Sequence, residues 1–250
     1  MPMNQFPAIA ADAAEVHSAS PRADELRLYV QPVVDLAGRY IAGWEALVRW
    51  DRPGHGFVDP GEFIPRAERS GAIHGIGEWV LGRAVGWLAA RGLKQAVGIN
   101  ASAAELERPG FADTVARTLD LHGIEPRQLV VELTETVPAE EIAVLALTMR
   151  TLLDMGVGVA IDDAGCGFSD EALIRALPAD VLKLDEALVG RLPDPCALDE
   201  AGRWVDLAAE LGMKVVAEGV RTPEQARLVR GLGCTWGQGE LYGPPVPAAA

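Results

Sequence analysis

The chain has 250 residues, of which 49% are hydrophobic, and this length and composition suit a single α/β barrel with a large core. Its 36 acidic residues outnumber 22 basic ones, and the formal net charge of −14 argues against broad electrostatic binding to DNA, RNA or anionic membranes. A small phosphorylated ligand is compatible with that charge, because bound cations can reverse the local field.

Cysteine usage and the absence of targeting signals indicate the compartment. The three cysteines form no CxxC pair and are too few for a disulfide framework, so we expect a reducing environment. No apolar run approaches the roughly 20 residues that span a bilayer, and the N-terminus lacks the basic start and apolar stretch of a signal peptide. We therefore predict a cytoplasmic protein without membrane insertion. The four scattered histidines are interpreted as surface or structural residues and not as zinc ligands.

The first elements are a tail and a hairpin. Residues 1–24 are rich in Ala, Pro and Ser without a clear period, and they predict a disordered tail ahead of one domain over 25–247. Two apolar segments, starting at Leu26 and Tyr40, then flank a turn and predict an antiparallel hairpin. The Pro- and Gly-rich segment 51–65 is interpreted as a loop.

From residue 75 onward, predicted helices alternate with six more apolar strands. The first helix covers 75–92, with apolar residues at helical spacing. The ending, 245–250, is interpreted as disordered. Eight strands with helices between them, the first antiparallel to the second, predict a TIM-like (β/α)8 barrel. The six strands are predicted at 96–101, 129–135, 158–165, 181–185, 214–220 and 235–241.

Polar residues mark the predicted strands from the second to the seventh. A lone acidic residue at a strand end is usually a cap or a loop contact, so the interpretation depends on the coincidence across strands. The C-terminal ends of barrel strands meet at one face, and carboxylates, an amide and a lysine gathered there are typical of divalent cations acting on a phosphate ester. The residues are Glu45, Arg49, Asn100, Glu132, Glu135, Asp162, Asp163, Lys183, Asp185 and Glu218.

Two details of this set carry chemical information. Asp162 and Asp163 are adjacent and would face opposite sides of a regular strand. Both reach one site only if the strand ends there, and Gly165 and Gly167 permit such a turn. Adjacent aspartates at a strand end suit the bridging of two metal ions about 4 Å apart. Lys183 lies inside an apolar strand and needs a buried partner, which favours a role in the site.

These residues also carry a resemblance to the EAL domain, the bacterial phosphodiesterase domain for cyclic di-GMP. Over residues 29–247 the chain contains, in order, QPVVDL, EALVRW, FIPRAE, GINAS, ELTE, IDDAGCG, LKLD, VVAEGV and GCTWGQG. The resemblance implies a barrel with an antiparallel first strand and a substrate that lies across its C-terminal face. It also implies two Mg²⁺ or Mn²⁺ ions.

Site residues follow from the resemblance one at a time. Asp162 resembles an aspartate that bridges two metals, and Lys183 resembles a lysine that holds the attacking water. Glu135 resembles a glutamate that anchors the loop after the fifth strand. The implied metal ligands are Glu45, Asn100, Glu132, Asp162, Asp163 and Glu218. The implied catalytic residues are Lys183, Glu218 and Glu45, and the implied substrate-binding residues are Arg49, Gln31 and Gln238.

The chain departs from the family pattern in the loop after the fifth strand. This loop usually reads DDFGTGYSSL, whereas residues 162–171 read DDAGCGFSDE. Ala164 replaces a large aromatic residue, Cys166 replaces a threonine, and Asp170 and Glu171 bring charge. In the family this loop helps to order the metal site, so the departure predicts slow turnover. Elsewhere, Arg221 stands at a usual glutamate and Glu240 at a frequent aromatic residue.

The resemblance implies a cyclic di-GMP phosphodiesterase that forms linear pGpG. The alternative is an inactive cyclic di-GMP receptor that acts through a protein partner, and both hypotheses use the same cleft. A scaffold that binds no nucleotide is disfavoured, because it has no need of so many matched polar residues. A homodimer is left open, and no DNA or RNA partner is expected.

Overall fold

The computed structural model describes residues 20–134, 142–165 and 171–248. Most of the predicted tail therefore lies outside the described residues, as do Glu135, Cys166, Gly167 and Asp170, and the expectations for them stay predictions. The boundary between tail and domain also stays a prediction. None of the helices in the described ranges has the length and apolar character that crossing a bilayer requires.

The described residues form one sheet of ten strands, and eight of these close into a barrel. The strands are β1 Leu26–Asp35, β2 Ile41–Arg52, β3 Gly56–Val58, β4 Ala96–Ser102, β5 Leu129–Thr134, β6 Gly158–Ala164, β7 Val181–Leu184, β8 Lys214–Ala217, β9 Trp236–Gly237 and β10 Val246–Pro247. The barrel closes because β1 pairs with both β2 and β9, antiparallel in each case. The remaining barrel strands run parallel in the order β2, β4, β5, β6, β7, β8, β9, which confirms the predicted fold class.

Helices connect the strands and bury their apolar faces against them. Leu88 and Met149, on two of these helices, are fully buried in the same core as Val97 and Val159 of the strands. The α-helices of the described residues are α1 Pro60–Ser70, α2 Ile73–Arg91, α3 Ala103–Leu106, α4 Phe111–His122, α5 Ile142–Asp154, α6 Glu171–Ala176, α7 Glu186–Gly190, α8 Pro195–Glu210 and α9 Pro223–Leu232, with a 3-10 turn at Pro126–Gln128.

The ends of α9 show how the sequence sets helix boundaries. The Thr222 hydroxyl accepts a hydrogen bond from the Gln225 amide nitrogen at 3.1 Å, and the Gln225 side chain accepts one in return from the Thr222 amide nitrogen. This reciprocal pair satisfies two backbone donors that the first turn leaves free. Gly233 ends the helix with φ 111, a left-handed conformation that glycine adopts without a Cβ clash.

Two sequence-based expectations are wrong. Segment 51–65 is not a loop, because it forms β3 and the start of α1, where the Asp59 side chain accepts from Gly61 N at 2.8 Å. The ending is ordered up to Ala248, since Val246 and Pro247 pair with β1 as β10. Strands of two or three residues are too short to leave a period in the sequence, and their pairing depends on tertiary neighbours.

Candidate active site

The strand ends converge on the ammonium of Lys183, whose side chain is 4% exposed. Its Nζ lies 2.6 Å from Glu132 Oε2 and 2.6 Å from Glu218 Oε1. It also donates to Asp162 Oδ2 at 2.9 Å and lies 3.8 Å from Glu45 Oε1. The buried partner that this lysine requires is therefore a ring of four carboxylates from β2, β5, β6 and the residue after β8.

Burial and mutual charge set the protonation of this ring. Burial acts to lower the pKa of Lys183, but the surrounding carboxylates together outweigh it and raise that pKa well above its ordinary value. Burial raises the pKa of Glu132 to about 7, against the opposing charge of Lys183. Burial likewise raises the pKa of Glu218 well above its usual range. Lys183 thus stays an ammonium, and one ammonium is too little positive charge for four ionised carboxylates.

Amide side chains hold Glu45 in place at the opposite side of the ring. Asn100 Nδ2 donates to Glu45 Oε1 at 2.7 Å, and Gln238 Nε2 donates to Glu45 Oε2 at 2.5 Å. Gln238 also donates to Gln31 Oε1 at 3.0 Å, and Gln31 in turn donates to Gly243 O at 3.1 Å. Gln31 and Gln238, predicted to bind substrate, line the cleft and orient Glu45, and their contact with substrate stays a prediction.

A bulge in β6 brings both adjacent aspartates to one site. The register between β6 and β7 shifts between Ile161 and Ala164. Within that shift Asp163 has φ 59, in the left-handed region, and its amide nitrogen donates to Asp162 Oδ1 at 2.8 Å. Left-handed backbone is unfavourable for a residue with a side chain, although aspartate tolerates it better than most.

The structure has this bulge where the sequence predicts a turn. We expected the strand to end at the aspartates and to turn at glycines, but Ala164 still pairs with Leu184 of β7. The local change in backbone direction comes from the left-handed conformation of Asp163, and Gly165 then continues with φ 95. A left-handed aspartate inside a strand cannot be inferred from residue spacing, because its conformation depends on the neighbouring strand.

Oxygen atoms of Asp162, Asp163 and Glu218 lie within 4.8 Å of one another. Carboxylate oxygens at this spacing are the ligands that Mg²⁺ and Mn²⁺ prefer, so the residues present fit a divalent cation. Burial, with the charges of Asp162 and Asp185, raises the pKa of Asp163 to about 6, which a bound cation would counteract. The structure thus gathers all six predicted ligands around one centre, and their role as ligands stays a prediction.

A cleft of about 380 Å³ opens above this centre. Glu45, Leu47 and Arg49 all line it, as expected for alternate residues of β2. Arg49 Nη1 donates to Val48 O at 2.9 Å, and its guanidinium carbon lies 5.9 Å from the centre of the Tyr29 ring. The guanidinium is thus placed at the mouth of the cleft beside an aromatic ring.

An apolar groove of about 390 Å³ adjoins the cleft. Leu47, Ile64, Pro65 and Ile76 line it, and it shares Arg49 with the cleft. Flat apolar walls next to a cationic side chain suit an aromatic base that is attached to a phosphate.

Sequence reasoning did not place some residues near the site. Asp185 was grouped with the polar residues that mark the strand ends, and it caps α7, where its Oδ1 accepts from Ala187 N at 3.0 Å and from Leu188 N at 3.3 Å. Its neighbour Glu186 lines the cleft together with Arg221, and neither was predicted to face it. The position of Glu186 two residues after the end of β7 was the only sequence signal for that placement.

The chain is similar to a known protein family along most of its length. The family model described as the EAL domain matches residues 14–245. Among curated proteins, the bifunctional diguanylate cyclase/cyclic di-GMP phosphodiesterase MucR of Pseudomonas aeruginosa is 38% identical over 231 residues, which cover 90% of this chain and 33% of MucR. The cyclic di-GMP phosphodiesterase NbdA of the same organism is 36% identical, covering 92% of this chain and 30% of NbdA. The chain thus spans about a third of the length of these relatives.

Solved structures show the same architecture. The MucR phosphodiesterase in complex with c-di-GMP superposes with a TM-score of 0.83 at 36% identity, covering 90% of this chain and 93% of that one. An EAL domain protein from Listeria monocytogenes superposes with a TM-score of 0.82 at 27% identity, covering 96% of each chain.

Proposed function

The chain belongs to the EAL domain family, and from that premise we propose that it opens one phosphodiester bond of cyclic di-GMP to give linear pGpG. The proposal includes two bound Mg²⁺ or Mn²⁺ ions. The relatives named as cyclic di-GMP phosphodiesterases and the MucR complex with c-di-GMP support the choice of substrate.

One observation carries the proposal: the gathering of carboxylates around Lys183 at the C-terminal end of the barrel. A structural role alone would not require so many buried acidic groups around one ammonium, because burying charge costs free energy. A site that receives cations does require them. Glu45, Asn100, Glu132, Asp162, Asp163 and Glu218 are the residues proposed to hold the ions.

The bound ions would lower the pKa of a water molecule and neutralise charge on the phosphate. Lys183 stays protonated and therefore acts as a donor that orients the attacking water, and not as its base. Glu218 or Asp163 is proposed to accept the proton of that water, because both carboxylates lie next to the site.

Substrate binding is proposed to involve the cleft and the apolar groove together. Arg49 binds a phosphate oxygen, since a guanidinium at the mouth of an acidic cleft offers a charge-assisted hydrogen bond. One guanine base enters the groove between Leu47, Ile64 and Pro65. Gln31 and Gln238 line the inner wall, where they hold Glu45.

Turnover is proposed to be slow because of the altered loop at 162–171. Ala164 is 1% exposed, so a small side chain occupies this buried position. Glu171, expected to bring charge, is neutralised in part by Arg175, whose Nε donates to it at 2.9 Å. The substitution at Ala164 is therefore the described change with the larger expected effect on the support of Asp162 and Asp163.

Product analysis combined with binding tests the function. Purified protein would be incubated with cyclic di-GMP and Mg²⁺ or Mn²⁺, with pGpG measured by chromatography and binding by calorimetry. Formation of pGpG together with binding supports the phosphodiesterase. Binding without any pGpG would replace it with the receptor hypothesis, and absence of both would contradict each of them. Dimerisation, a protein partner and a cytoplasmic location stay predictions.

A further inference from the structure

We infer that Arg221 binds the second phosphate of the cyclic dinucleotide, the one that is not attacked. This inference rests on the proposed function, because it assumes that cyclic di-GMP lies in the cleft. It adds a specificity-determining residue that lines the cleft after β8, whereas Arg49 lies in β2.

The backbone around Arg221 is fixed although its side chain is 53% exposed. Val220 is fully buried, with its N donating to Gln238 O at 2.9 Å and its O accepting from Leu241 N at 3.1 Å. Arg221 N itself donates to Gln225 Oε1 at 2.9 Å. A side chain on a rigid rim loses less freedom on binding than one on a loose loop, which favours its use as a ligand contact.

The charge of the cleft favours a second arginine contact to the nucleotide. The described residues that line it carry two cations, Arg49 and Arg221, against several carboxylates. A cyclic dinucleotide has two phosphodiester groups, each with one negative charge, and the metal centre serves the attacked one. Strands β1 and β9 separate β2, which carries Arg49, from β8, which leads to Arg221. The two arginines therefore reach the cleft from different parts of the barrel rim, and we assign them to different phosphates.

The ion pair with Glu186 holds the Arg221 side chain near the cleft and leaves the guanidinium able to bind a phosphate. Arg221 Nη2 lies 3.6 Å from Glu186 Oε2, and both side chains are largely exposed. Such exposed ion pairs contribute little free energy. Glu186 is held close, because a Cβ added to Gly219 would lie only 2.5 Å from Glu186 Cβ. When a phosphate arrives, Glu186 competes with it for the guanidinium.

This competition predicts opposite effects for the two members of the pair. Arg221→Ala should raise Kd and KM for cyclic di-GMP by roughly tenfold, the scale of one charge-assisted hydrogen bond. Its kcat should stay within about twofold, because the contact exists before and during the reaction. Arg221→Lys should recover part of the affinity. Glu186→Gln should lower Kd, since the competing carboxylate is removed.

Calorimetry at matched ionic strength with Mg²⁺, together with KM and kcat from pGpG formation, tests the inference. Arg127→Ala is the matched control, because it removes one exposed arginine from an ion pair with Glu125 far from the cleft. It should leave Kd unchanged. If the pair only stabilised the turn, both Arg221→Ala and Glu186→Gln would weaken binding, and that outcome overturns the inference.

Different results contradict the inference about Arg221 and the proposed function. If the unchanged protein binds cyclic di-GMP and Arg221→Ala binds it equally well, the inference about Arg221 is overturned and the proposed function stands. If the unchanged protein does not bind the nucleotide, both are overturned. Thermal unfolding of each variant shows whether the fold is kept, and Arg221→Lys, which preserves the charge and most of the aliphatic stem, repeats the test with less disturbance.

Discussion

Lys183 is the residue on which the proposed chemistry depends most. Its ammonium contacts Glu132, Asp162 and Glu218 within 2.9 Å and is almost fully buried. Lys183→Met keeps the apolar stem but removes the donor, so we expect pGpG formation in saturating Mn²⁺ to fall by roughly a hundredfold or more. Lys214→Met, at an exposed lysine on the neighbouring strand, should leave the rate unchanged. An active Lys183→Met protein would show that the lysine serves the fold and not the water.

Glu105 shows how a single buried carboxyl couples stability to pH. It is 5% exposed, and its Oε2 accepts from both Ser102 N and Ser102 Oγ at 3.0 Å. Burial raises its pKa from 4.5 to about 7. The folded protein therefore holds this proton more tightly than the unfolded chain does. The resulting stabilisation is fully present below pH 4.5 and is lost as the pH rises through 7.

Glu105→Gln should remove this pH dependence. Relative to that variant, the free energy of unfolding of the unchanged protein should fall by up to about 3 kcal/mol between pH 4.5 and 8, since one pKa unit corresponds to about 1.4 kcal/mol. Urea unfolding of both proteins across this range measures the difference. Glu62→Gln, at an exposed carboxylate in α1, is the control for the loss of one acidic side chain. A constant difference between the unchanged protein and Glu105→Gln would refute the shift.

At the scale of the element, the bulge interrupts the regular geometry of β6 and brings two carboxylates to one site. Asp163→Asn and Asp163→Gly both remove the charge, but glycine accepts φ 59 more readily. Both variants should lose turnover, and the glycine variant should be the more stable of the two by about 1 kcal/mol. Asp206, on the exposed face of α8, provides the control pair, since there glycine should be the less stable substitution. A glycine variant at 163 that is less stable than the asparagine variant would contradict the described bulge.

The helices and strands also show how much of the fold the sequence alone predicts. The long helix α2 and hydrophobic strands such as β4 were predictable, because α2 carries buried apolar residues at helical spacing and β4 is a short apolar run. The short strands β3 and β10 were missed, since two or three residues carry no period and their pairing is decided by neighbours. The bulge of β6 was missed because a left-handed aspartate leaves no mark in residue spacing.

At the scale of the whole molecule, the closed barrel makes a scattered set of residues into one site. Strands β2, β4, β5, β6 and β7 each contribute a polar side chain to the site, and the residues directly after β8 and β9 add Glu218 and Gln238. Gln31 of β1 lies beside Gln238. The position of these residues at strand ends therefore allowed the site to be predicted once the barrel was predicted. Arg221 and Glu186 were not placed in advance, because the direction of a side chain after a strand depends on the turn that follows.

The four carboxylates around Lys183 also predict that turnover depends on bound metal cations. With one buried ammonium among four carboxylates, the centre lacks positive charge until ions bind. The most direct test is the rate of pGpG formation from cyclic di-GMP by the purified protein in Mg²⁺, in Mn²⁺, in Ca²⁺ and in excess chelator. We predict turnover with Mg²⁺ or Mn²⁺, none with chelator, and inhibition by Ca²⁺, which is larger and tolerates looser geometry. Full turnover in excess chelator would contradict the two-metal phosphodiesterase.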